Sequence, residues 1–190
     1  MSQLRFANRF AAIASGILSL AGAVLAVILL VNSLAGGFDW YRFLPAVLYL
    51  LCFATLAIYA FGKKIKSKYT FPSVLAAYGL VVLITGIIFP PIYPQRFKLI
   101  FTILPILILV GLVGFNFFWK NIKLSRLFLT VAYVFELGMA LLSLFGNPML
   151  MEGDVVEQLS VFIRPVILSS VAVCYLTRMY EKIHLEGFRA

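Results

Sequence analysis

Two ionisable side chains fall inside runs of apolar residues: Glu136 in "VFELGMA" and Arg164 in "VFIRPVILSS". A carboxylate and a guanidinium in such surroundings can pair with each other, line a polar cavity, or hold a ligand or ion against a low-dielectric wall. Charges of this kind are costly in lipid, about 2.5–3.5 kcal/mol each on insertion scales, and almost always turn toward a partner or water. Two more polar residues join them as candidate binding groups. Glu157 lies two helical turns before Arg164, on the same face, and Asn116 lies in another apolar run. Asn116 reads more readily as an interhelical hydrogen bond than as a ligand.

Other chemistries lack their residues. The single histidine, His184, is in the C-terminal tail, so no pair of histidines can hold a haem and no Cys/His set can hold zinc or iron–sulfur. No HExxH and no Gly-rich phosphate loop is present. Asp39, Glu152 and Asp154 lie between apolar runs, and no second carboxylate shares a run with Glu136. The expectation is a non-enzymatic protein with no catalytic residues, metal or cofactor.

The elements that carry these residues follow from composition. Of 190 residues, 63% are hydrophobic and 12% charged, with a mean hydropathy of +1.05. Soluble domains hold roughly 45–50% apolar and about 25% charged residues. A soluble fold of this length would leave a large apolar patch in water, whereas a bilayer acts as the solvent for it. Runs long enough to cross roughly 30 Å of hydrocarbon occur at about 10–31, 43–61, 71–92, 99–119, 127–145 and 158–177. In lipid each run must satisfy its own backbone, which leaves only helices, and the alternating pattern of a barrel is absent. The fold expected is all-α, a bundle of six transmembrane helices forming one integral membrane domain over 1–190.

Lysine and arginine orient it. With both termini cytoplasmic, twelve of the sixteen fall on the inner side, three (Arg42, Arg96 and Lys98) on the outer side, and Arg164 is the last. That is a positive-inside distribution. It accounts for the formal charge of +9 without nucleic acid, and the "KKIKSK" run at 63–68 reads as a topology signal. The first run is too long for a signal peptide, whose apolar core spans roughly 7–15 residues.

Within this frame Arg164 lies about six residues, or roughly 9 Å, below the outer end of the last helix. Glu136 lies about nine residues, or roughly 13 Å, below the outer end of the fifth. A short loop joins the two helices, so a direct Glu136–Arg164 ion pair is the leading expectation. The alternatives are that Arg164 snorkels outward toward Glu157, or that Glu136, Arg164 and Glu157 line a polar cavity. Pro105 and Pro165 fall inside spans and each removes an i→i−4 hydrogen bond, freeing the carbonyls of Phe101 and Val161. Small residues of the first helix (Ser15, Ser19, Gly22, Ala26) allow a close helix contact, internal or with another subunit. Cys52 and Cys174, at different depths, should remain free thiols.

Six helices in 190 residues with both termini inside is similar in outline to the substrate-binding membrane subunits of energy-coupling vitamin transporters, a likeness of architecture without a shared motif. The functional expectation is a small transport or channel component of a bacterial cytoplasmic membrane. It would sit in the bilayer as a homo-oligomer or beside a partner membrane subunit. The alternative is a scaffold or anchor subunit in which the intramembrane charges are purely structural.

Overall fold

A computed structural model describes residues 2–35, 38–61, 70–88, 98–119, 121–146 and 155–185. Every element among them is helical: α1 (Ser2–Ala35), α2 (Trp40–Phe61), α3 (Thr70–Ile88), α4 (Lys98–Phe118), α5 (Ile122–Gly146) and α6 (Val155–Leu185). Five of the six are long and apolar enough to cross a membrane, and in α3 the apolar stretch Ser73–Ile88 is shorter. The multi-pass membrane character expected from composition is therefore present in the fold. Several helices overrun the predicted spans. The last begins three residues earlier, which brings Glu157 into its first turn, and continues to Leu185. The "KKIKSK" run, Glu152 and Asp154 lie outside the described residues.

Local chemistry sets several starts. Asp39 caps α2 by accepting the Tyr41 amide at 2.9 Å, and Asn121 caps α5 by accepting the amides of Lys123 and Leu124 at 3.1 and 3.2 Å. Both helices containing a mid-span proline continue through it: α4 through Pro105 and α6 through Pro165. Pro105 instead marks a close approach. A Cβ on Gly86 of α3 would lie 2.7 Å from its ring, so only glycine admits the proline there.

Consecutive helices pack side by side, α1 on α2, α2 on α3, α3 on α4, α4 on α5 and α5 on α6, and α6 returns to α1 to close the ring. Ile108, Leu112 and Phe115 of α4, Ala132 of α5 and Val171 of α6 are fully enclosed at its centre. Small residues set the spacing. A Cβ on Gly111 would come within 3.0 Å of the Ala132 Cβ, which brings the α4 and α5 backbones together.

The small stripe of α1 is an internal contact. Ser15 and Ser19 are wholly buried and Ala26 nearly so. Gly16 faces Phe61 of α2, and Gly22 faces Ile167 of α6 and Phe53 of α2. The opposite face of α1 (Phe10, Ile17, Val24, Val31) is exposed, as a lipid-facing surface must be. Cys52 and Cys174 are buried and unpaired, as expected.

Candidate ligand cavity beside Arg164

Three helix faces converge on a cavity of about 310 Å³ at the end of the bundle where α1 finishes and α2 and α6 begin. Each contributes one stripe at helical spacing: Gly22, Leu25, Ala26, Leu29 and Asn32 from α1, Arg42, Pro45, Ala46, Tyr49 and Phe53 from α2, and Glu157, Ser160, Val161, Ile163 and Arg164 from α6. Intervals of three and four residues place each set on one side of its helix. The lining is largely apolar, with a few polar groups at its two ends. Small-molecule sites commonly have this constitution, with volumes of about 300–1,000 Å³.

At the mouth of the cavity Arg42 sits 3.7 Å from Asp39 and 3.6 Å from Glu157, tying the first turn of α2 to the first turn of α6. Arg42 is well exposed, so this pair is worth little by itself, about 0–1 kcal/mol. Deeper in, Arg164 is half-buried. Its Nε donates to the Ser160 carbonyl of its own helix at 3.2 Å, and one terminal nitrogen donates to the Tyr49 hydroxyl at 2.9 Å. The guanidinium also lies over the Tyr49 ring, 4.9 Å from its centroid, a cation–π arrangement that offsets part of the cost of taking the charge out of water. Tyr49 is held in turn, its hydroxyl 3.0 Å from that of Thr85 on α3.

Glu136 is elsewhere. It is 1% exposed and does not line the cavity. One carboxyl oxygen accepts a hydrogen bond from the Tyr78 hydroxyl, and the other has no hydrogen-bond partner. The expected ion pair between Glu136 and Arg164 is not formed. The reason lies across the ring, where α2 and α3 each insert a tyrosine. Tyr78 takes the acid and Tyr49 takes the base, with the two rings edge to face at 6.3 Å. Glu136 sits close to its expected depth, but Arg164 sits three residues deeper than expected because α6 begins earlier. Arg164 lies nine residues into α6 and Glu136 ten residues before the end of α5, about 14–15 Å by helical rise. Lateral position, which a sequence does not supply, decided the partner.

Of the four residues singled out, Arg164 and Glu157 line the cavity, Glu136 is enclosed behind the tyrosines, and Asn116 is half-buried on α4 away from it. Glu157 pairs with Arg42 rather than assisting Arg164. Sequence reasoning missed Tyr49, Tyr78, Arg42 and Asn32. A signal for two of them existed: Arg42 and Tyr49 are seven residues apart on one face of α2, and Tyr49 carries the only hydroxyl at the middle of that face. Val161, whose carbonyl loses its ordinary helical donor to Pro165, lies on the cavity wall. Among the described residues no three His, Cys, Asp or Glu side chains gather. No known protein family, characterised protein or solved structure matches the chain.

Proposed function

We propose that this integral membrane protein is a non-enzymatic transport component that takes a small solute into the cavity bounded by α1, α2 and α6. The observation that carries this reading is a largely apolar cavity with a half-buried guanidinium on its wall that, among the described residues, no carboxylate contacts directly. A charge kept on a cavity wall with no direct carboxylate contact among the described residues supports a function beyond packing. In this reading the chain crosses the bilayer six times with both termini on the cytoplasmic side, an arrangement favoured by the Lys and Arg distribution. The cavity then opens toward the outer face of a bacterial cytoplasmic membrane. The scaffold alternative draws support from the dense packing at the opposite end of the ring, but it assigns no role to the cavity.

The test is to fill the cavity without touching its polar groups. Val161→Trp places an indole in the lumen. Native mass spectrometry of the protein released from nanodiscs is expected to show one small molecule retained per chain in the parent and none in the variant, with equal thermal stability. Equal retention by both proteins would remove the cavity from consideration and leave the scaffold reading.

A further inference from the structure

The geometry points to a solute of one chemical class, a single-chain amphiphile with an acidic head: the head sits on Arg164 and the apolar body lies against α1 and α2. This inference rests on the cavity reading above and specifies what enters. A guanidinium offers five N–H donors, and Arg164 uses its Nε and one terminal nitrogen on Ser160 and Tyr49. Among the described residues the two nearby carboxylates bond elsewhere, Glu136 to Tyr78 and Glu157 to Arg42. Tyr49 covers one face of the guanidinium plane, so a further acceptor must approach along its edge, the approach a carboxylate or phosphate oxygen uses. A cationic solute would meet Arg164 and Arg42 and find Glu157 already paired. A neutral solute would leave the guanidinium without a direct ion-pair partner among the described residues.

The rest of the wall defines the remainder of the ligand. Leu25, Leu29, Ile163 and Phe53 supply apolar contact, and Ala26 and Ala46 provide the room. A fully polar anion would lose its hydration against those side chains without recovering it. An acidic head on an apolar chain satisfies both parts. Such a head can belong to a free single-chain acid or to an anionic membrane lipid, and the two share the same contact with Arg164.

The experiment uses decanoate and decanol as probes, with the full chain in nanodiscs of zwitterionic phosphatidylcholine and the thermal midpoint as the readout. Decanoate is expected to stabilise the parent saturably. Decanol, matched in chain but uncharged, should bind about ten- to a hundredfold more weakly, the factor carried by hydrogen bonds to a charged group. Arg164→Gln should abolish the difference and Arg164→Lys should retain part of it. Arg164→Lys, which keeps a cation at the site, covers the case in which Arg164→Gln does not fold. Discs containing phosphatidylglycerol assign the source: loss of the decanoate response there places a lipid headgroup on Arg164, and an unchanged response makes the ligand a free acid. Either result keeps the acidic head. Equal affinity for decanoate and decanol, with both lost in Val161→Trp, would overturn the acidic head and spare the cavity. Decanoate binding that survives Val161→Trp would overturn the cavity itself.

Discussion

Helix α6 carries two described arginines fourteen residues apart, and the two ends of the bundle treat them differently. Arg178 lies at the end where α2 finishes. It donates to the Tyr59 and Ala60 carbonyls at 3.2 and 2.8 Å and stacks 4.8 Å over the Tyr59 ring. Those carbonyls belong to the last turn of α2, which lacks helical donors and carries the negative end of the helix dipole. Nearby, Tyr175 donates to the Trp119 carbonyl at 2.7 Å and meets Phe115 edge to face. That end is a clamp. Arg164 also stacks on a tyrosine of α2, but it meets a hydroxyl instead of a helix terminus and borders a cavity instead of packed rings. The same side chain in the same kind of aromatic contact closes the bundle at one end and leaves donors open at the other. What differs is that Arg178 reaches the carbonyls of another helix's end, whereas the backbone acceptor of Arg164 belongs to its own helix.

The comparison makes Arg178 the more important of the two for stability. Arg178→Gln should destabilise the protein by about 2–3 kcal/mol, because two charge-assisted bonds to carbonyls of the last turn of α2 are lost. Thermal melts in nanodiscs should show this as the largest fall in the set. A melt like the parent's would end the clamp assignment.

Tyr78→Phe should follow, at about 2 kcal/mol. It takes away the hydrogen-bond partner of a carboxyl that is otherwise enclosed, and an unsatisfied buried group costs about 1–3 kcal/mol. Combining it with Glu136→Leu should recover most of the loss, since removing both partners leaves an apolar contact. Failure to recover would mean that Glu136 has another partner.

Arg164→Gln should cost less, about 1 kcal/mol, from the lost stacking on Tyr49. The smallest effect concerns the pair that does not form. A double-mutant cycle between Glu136→Gln and Arg164→Gln should give a coupling of about 0.5–1 kcal/mol, carried through the touching Tyr49 and Tyr78 rings and short of a direct ion pair. Coupling of several kcal/mol would restore the direct ion pair.

These effects also mark where the sequence was legible. Six helices and the presence of the two intramembrane charges follow from apolar run length and from the rarity of charge in lipid. The depth of Glu136 follows from counting residues, and that of Arg164 falls short by the three residues that α6 gains at its start. Neighbours around the ring do not, because helical rise gives height and says nothing of which side chains stand between two helices. Tyr49 and Tyr78 read as ordinary apolar-run aromatics, and only the closure of α6 onto α1, with α2 alongside, shows them holding the two charges apart. The cavity was visible only in part, as the small-residue stripe of α1 and the face of α6 that carries Glu157 and Arg164. That those stripes face one another is a tertiary fact.

The central claim is that solutes from outside reach Arg164 along α6, and two adjacent residues test it. Val161 lines the cavity, whereas Phe162, next in the chain, is 38% exposed on the outer surface of the bundle. With Cys52 and Cys174 replaced by alanine, single Val161→Cys and Phe162→Cys proteins are treated in intact membranes with a membrane-impermeant, sulfonated thiol reagent added to the outer face. The account predicts that Val161→Cys reacts rapidly and is protected by decanoate, while Phe162→Cys, bathed in lipid, stays unmodified. Equal reactivity at the two positions, or none at Val161→Cys, would contradict it.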